Sequence, residues 1–255
     1  MVIMRKLPFF LLLLLCVACA KKQHSGDVKI HFDIQVDGSH LHYHQMQYQN
    51  AAGNRYQVDE VKFFISDVAF LTRGGERHAV TDNDGIHYFD SDIAASYDWL
   101  ISKVPDGQFD SITFVFGLLP AQNVTGYFVN PPEINMAWPD VLGGGYHYMQ
   151  INGKWLASND TVRPFNLHTG IGQRYENGQV TEFVPNYFRM TLPLRDFVVT
   201  KDATTQLDFV MNVNGWMSEP NIYDFDIIGG SIMQNQPAQD MLRENGPHAI
   251  SVKVH

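Results

Sequence analysis

Val28-Lys29-Ile30-His31-Phe32-Asp33-Ile34-Gln35-Val36 alternates apolar and polar residues at every step. A period of two marks a β-strand with one face in a core and one in water, because successive side chains leave opposite sides of the pleat. The parity puts His31 and Asp33 on the wet face. The signature recurs to the end of the chain: Val61, Phe63 and Ile65 share a face, as do Ile112, Phe114 and Phe116, and Leu207, Phe209, Met211 and Val213. A last strand is expected from Ala249 to Val254. Turn signals separate the strands, among them Ala52-Gly53-Asn54, Arg73-Gly74-Gly75, Pro105-Asp106-Gly107 and Asn177-Gly178. Helix is scarce. Ala94 to Ile101 has room for two turns, and Ala238 to Asn245 is better bounded, with Pro237 near its start and Gly246 just past its end. Many strands, short connections and 13% aromatic residues predict an all-β fold, an antiparallel β-sandwich (Ig-like or jelly-roll-like) with one or two short helices.

The N-terminus lies outside that pattern. Arg5 and Lys6 precede the apolar run Leu7 to Ala18, which is too short to span a bilayer as a helix and reads as a secretory signal. Cys16-Val17-Ala18-Cys19 has the form of a bacterial lipobox, with Cys19 as the lipid-bearing first residue of the mature chain. The expected layout is a lipoprotein signal peptide over 1–18, a polar tether over 19–27 and a single domain over 28–255. The expected location is a bacterial cell envelope, lipid-anchored on a periplasmic or outer-membrane surface. Cys16 and Cys19 are the only cysteines of the 255 residues, so the folded part rests on its core and has no disulfide, thiol nucleophile, cysteine zinc site or iron–sulfur cluster. The formal charge of −9 includes Arg5 and Lys6, so removal of the signal leaves −11. That balance argues against nucleic acid and against an anionic membrane surface, leaving the lipid as the membrane attachment.

Two segments carry the candidate chemistry. Asn135-Met136-Ala137-Trp138-Pro139-Asp140-Val141-Leu142-Gly143-Gly144-Gly145-Tyr146-His147-Tyr148-Met149-Gln150 begins as irregular chain, since Pro139 removes a donor and three glycines admit unusual backbone angles. Three glycines running into an aromatic strand predict a backbone that passes very close to something. Phe165-Asn166-Leu167-His168-Thr169-Gly170 is the companion, with His168 expected at a loop edge. On a strand His147 shares a face with Met149, and imidazole with thioether favours copper, methionine being a poor ligand for zinc, calcium or magnesium. Asn166 or Asp140 is expected to fix the histidine tautomers. Copper binding is expected to weaken as pH falls through roughly 6.5, the ordinary histidine range. His40, His42 and His44 form a second candidate, one face of a strand at roughly 6.5–7 Å spacing, too far apart for one metal without a bend.

No Gly-x-Ser-x-Gly elbow, phosphate-type glycine loop or His-Glu-x-x-His is present, and the chain reads as a binding protein rather than an enzyme. The alternative is a metal-free envelope module that takes carbohydrate or protein on Tyr146, Tyr148, Trp155 and Trp216.

The ordered set Val61-Lys62-Phe63-Phe64-Ile65-Ser66-Asp67, Phe109 to Gly117, Met136-Ala137-Trp138, Gly145-Tyr146-His147-Tyr148-Met149 and Phe165 to Gly170 resembles the MbnP-like family of exported copper-binding proteins. The resemblance implies a β-rich sandwich, a mononuclear copper site and a di-haem cytochrome c peroxidase-like partner. It also implies oxidation of a tryptophan to kynurenine beside the metal. Trp138 falls at the Met-x-Trp position and His168 in the His-x-Gly segment; His147 is added from its own chemistry. Relatives carry a second tryptophan and reach Gly-Tyr sooner, whereas Pro139 to Gly144 intervene here. The loop geometry therefore does not transfer. The candidate metal set is His147, His168, Met149 and Trp138.

Overall fold

The structure is a computed structural model that describes residues 24–255; the expected signal peptide and the expected lipidation position Cys19 lie outside the described residues. Two sheets face each other. In one, Ser25–Val36 is flanked by Thr204–Asn212 on one side and by Ser39–His40 and Asp98–Pro105 on the other, and Ile250–Val254 adds to Thr204–Asn212. The other sheet runs Val162–Thr169, Met149–Leu156, Arg55–Leu71, Gly107–Phe116, Phe188–Val199, with short strands added along Arg55–Leu71. The inner faces meet through aromatic rings. Phe63 lies 6.0 Å from Phe32 and 5.9 Å from Phe209, and Phe114 lies 5.4 Å from Phe209, centroid to centroid. The fold is therefore the predicted all-β sandwich. It is not wholly antiparallel, because Ser25–Val36 and Thr204–Asn212 pair in parallel.

Alternation places Val28, Ile30, Phe32 and Ile34 in the core and leaves His31 and Asp33 outside, half-buried. The strand starts at Ser25 and takes in the last residues assigned to the tether. Ala94 to Ile101 is not a helix: one 3-10 turn, Ala94–Tyr97, gives way to the strand Asp98–Pro105, because Trp99 and Ile101 alternate into the core. The C-terminal helix is longer than expected, Gln236–Ala249, capped by the Asn235 side chain, and the last strand begins at Ile250. Gly246 is no stop signal; a β-carbon there would come within 2.3 Å of the Phe188 ring, so it lets the helix lie close. Val213 starts a 3-10 turn, Val213–Met217, that ends the strand before it.

Arg55–Leu71 is buried on both faces around Phe63-Phe64-Ile65. Phe63 and Ile65 enter the main core; Phe64 enters a second cluster with Leu118, Met136, Tyr146 and Tyr148. The long segment from Gly117 to Tyr148 thus covers the outer face of the second sheet with an apolar layer of its own. The candidate site lies at the edge of that cover.

Candidate metal centre

On the outer face of the second sheet, cross-strand register sets two polar rows. Lys62, Gln150 and His168 form one, and Glu60, Asn152 and Asn166 the next. His168 is the penultimate residue of the strand Val162–Thr169, not a loop-edge residue. Its neighbours Leu167 and Thr169 point the other way, and the partner of Thr169 is Met149. Met149 pairs with Phe63 on its other side and is fully buried in the main core. It stands on the face of the sheet opposite His168, so the structure does not bring this expected ligand to the site.

His147 precedes the strand Met149–Leu156 and does not share its pleat. Its position comes from the glycine stretch. Gly143, Gly144 and Gly145 have φ of 113°, 67° and 79°, a left-handed run open to glycine at little steric cost. A β-carbon on Gly145 would fall 2.4 Å from Asn123 Oδ1, which shows what the backbone passes. The chain then folds back on Met136-Ala137-Trp138, with Ala137 bridging Tyr146 and Trp138 N–H donating to the Gly145 carbonyl at 2.8 Å. The backbone N–H of His147 donates to the Met136 carbonyl at 2.7 Å, and ring Nδ1 lies 2.9 Å from the same oxygen. A carbonyl only accepts, so Nδ1 carries the proton and Nε2 holds a lone pair. That Nε2 is buried and has no hydrogen-bond partner among the described residues.

The rings converge. His147 and His168 meet edge to face with centroids 4.9 Å apart, and Trp138 meets His147 at 4.7 Å. Trp138 is 2% exposed and its Nε1–H donates to the Leu142 carbonyl at 3.1 Å. His168 Nε2 lies 2.7 Å from Asn152 Oδ1. Met136 and Asn152, rather than Asn166 or Asp140, are therefore the groups that hold the two imidazoles. A pocket of about 600 Å³ opens beside His168, lined also by Pro139, Leu142, Asn166, Ile232 and Met233. Met233 is the methionine that lines this pocket. Gln239 donates to the carbonyls of Ile232 and Met233, and Asn166 N–H donates to the Gly230 carbonyl at 2.6 Å, fixing that wall.

Both imidazoles are held neutral. Burial, then the nearby His147 and Lys62, push the His168 pKa down to about 3; burial also lowers that of His147, against the pull of its backbone hydrogen bonds. Protonation of His168 is thereby displaced well below the ordinary histidine range, and that of His147 is displaced in the same direction. Two neutral imidazoles in contact, one with a buried unsatisfied nitrogen, are the donor type that transition-metal ions take.

A family model described as MbnP matches residues 25–234. The chain belongs to the MbnP family. No curated protein matches it in sequence. Among solved structures, MbnP from Methylosinus trichosporium is similar at TM-score 0.56 and 13% identity, covering 89% of this chain and 98% of that one. At that identity the likeness concerns the fold.

The other candidates are not built as sites. Only Ser39–His40 of the histidine-rich stretch is strand; turns follow, and His44 has a φ of 61°. His40 pairs with Asp33, His44 with Asp59 and His31 with Asp98, each an exposed surface contact. Tyr146, Tyr148, Trp155 and Trp216 are at most 4% exposed, so they pack the core and offer no stacking face to a sugar. Asn152, Glu60 and Met233 were not singled out from sequence. A polar residue at outward parity on a strand is ordinary, and nothing local distinguishes Asn152 or Glu60.

Proposed function

We propose that this chain is an exported lipoprotein that binds a single copper ion between His147 and His168, for acquisition, buffering or delivery. Membership of the MbnP family links it to a methanobactin-associated, copper-related role. The observation that carries the reading is the buried, unpartnered Nε2 of His147, one ring away from a second neutral imidazole. An orphaned buried acceptor costs about 1–3 kcal/mol, and a metal ion would satisfy it. Two imidazoles alone suit zinc, nickel or copper; the thioether of Met233 at the pocket wall favours copper. Copper would be held as cargo by His147 and His168, and the chain's own task is to keep two neutral imidazoles beside a buried indole. No catalytic residue is assigned.

A di-haem cytochrome c peroxidase-like protein is the proposed partner, with Trp138 as the residue it oxidises to kynurenine. The support is position: Trp138 is buried against His147, where a modified ring would adjoin the metal. Lipidation at Cys19 would keep the protein at the envelope surface; Cys19→Ser should shift it from the membrane to the soluble envelope fraction, and unchanged membrane retention of that variant would refute the anchor.

The deciding experiment is metal analysis of protein purified without added metal, followed by titration of His147→Ala and His168→Ala. One copper per chain is expected, with at least a tenfold loss of affinity in each variant and an unchanged β-rich spectrum. Full copper occupancy in both variants at limiting metal would place the site elsewhere.

A further inference from the structure

We propose that Asn152 and Glu60 are positioning residues that lock His168 as its Nε2–H tautomer, so that the pair of histidines presents unlike nitrogens, Nε2 from His147 and Nδ1 from His168. The functional meaning rests on the metal reading above; the tautomer assignment does not.

The argument runs inward from the charged end of the row. The Lys62 ammonium forms an ion pair with the Glu60 carboxylate and reaches Asp90 at 3.7 Å. Both Lys62 and Glu60 are largely shielded from water, so this pair is held in one place. The other oxygen of Glu60 lies 2.7 Å from Asn152 Nδ2. A carboxylate only accepts, so the end of the Asn152 amide that faces Glu60 is its NH2 group. The carbonyl end then faces His168, where Oδ1 lies 2.7 Å from Nε2. A carbonyl also only accepts, so Nε2 of His168 must carry the proton and Nδ1 holds the free lone pair. At His147 the same reasoning gives the opposite tautomer, because the Met136 carbonyl takes Nδ1–H.

The arrangement has a reason in the fold. His147 is anchored from the irregular cover and His168 from a strand, so their rings enter from different directions at 86° to each other. Cross-strand register places Glu60 opposite Asn152 and Asn152 opposite Asn166, one row from His168, which lets a side-chain relay run across the sheet rather than along the chain. Partners of this kind around a ligand histidine typically change metal affinity by about 10–100-fold when removed.

The test reads the metal-free protein. Long-range 1H–15N correlation spectra of 15N-labelled apoprotein at neutral pH should show His168 protonated at Nε2 and His147 at Nδ1. In Glu60→Met the amide of Asn152 loses its fixed acceptor, and His168 should become a mixture of tautomers while His147 stays unchanged. Glu60→Gln, which still offers an acceptor oxygen, should restore the single form. His168 protonated at Nδ1 in the wild-type protein, or an unchanged spectrum in Glu60→Met, would overturn the proposal. Asn152→Leu should weaken copper binding about 10–100-fold. Wild-type protein with the expected tautomers but no copper affinity would remove the metal reading and leave the tautomer assignment standing.

Discussion

The six-membered ring of Trp138 rests on Gly170 so closely that a β-carbon there would meet Cε3 of the indole at 2.6 Å. This contact explains the glycine two residues after His168: the strand that carries the histidine ends where the indole needs bare backbone. It also ties the two segments of the candidate site together, since the same indole meets the His147 ring. Gly170→Ala must tilt the indole or lift the strand end, and overpacking of this kind costs about 1–3 kcal/mol. The expected outcome is a lower melting temperature with altered tryptophan fluorescence and weaker copper binding. A variant identical to wild type in all three would show that the ring does not sit there.

The buried imidazoles set the acid response. His168 is held at about 3 and His87 at about 4, both by burial, against 6.5 in the unfolded chain. Between those values the unfolded state binds more protons, so stability rises with pH across that window and is lost as pH falls through it. Metal-free protein should therefore show a lower urea midpoint at pH 4.5 than at pH 7, and little change between pH 7 and pH 8. A flat profile down to pH 4 would mean that the rings are solvated.

Copper retention should follow the folded-state histidines rather than free ones. Protons compete with the metal only where they bind, and burial delays that to well below 6.5. Equilibrium dialysis at pH 5 should retain most of the copper bound at pH 7. Half-loss centred near pH 6.5 would mean that His147 and His168 titrate as they do in water.

Two methionines separate the strand-parity expectation from the structure. Met149→Leu, a volume-conserving change in the core, should cost less than about 1.5 kcal/mol and leave copper affinity unaltered. Met233→Leu, at the pocket wall beside His168, should weaken cuprous more than cupric binding, since the thioether is the soft donor. Competition titrations in both oxidation states check this, and a cuprous deficit confined to Met149→Leu would restore the original assignment.

Trp138 is the position at which a partner's action would be recorded. Intact mass of protein from native cells should differ from that of protein made without the proposed di-haem partner, with the change mapped to the peptide holding Trp138. Unmodified tryptophan in native material would confine the chain to simple metal binding.

The strands and the sandwich were legible in the sequence because alternation is a local property: Val28 to Val36 reports its own two faces without reference to any partner. The positive-φ glycines were legible for a similar reason, since triple glycine has a local steric meaning; His147 and His168 were nominated together by ligand chemistry and the family resemblance, and their contact belongs to the tertiary structure. Which residues complete the site was not. The Met149 assignment assumed that the pleat extends back to His147, but the chain leaves strand geometry before that residue and turns to pair with Met136. The partners of His168 lie across two neighbouring strands, at Asn152 and Glu60, and only register brings them there. Gly246, read locally as a helix stop, is instead a contact with Phe188, and Tyr146 and Trp216, readable as binding surface, are core. Sequence alone determined the periodicities and the special backbone positions, which depend on near neighbours. Tertiary structure decided facing, burial and hydrogen-bond partners, because these depend on how strands far apart in the chain align, and a shift of one residue sends every side chain to the other face.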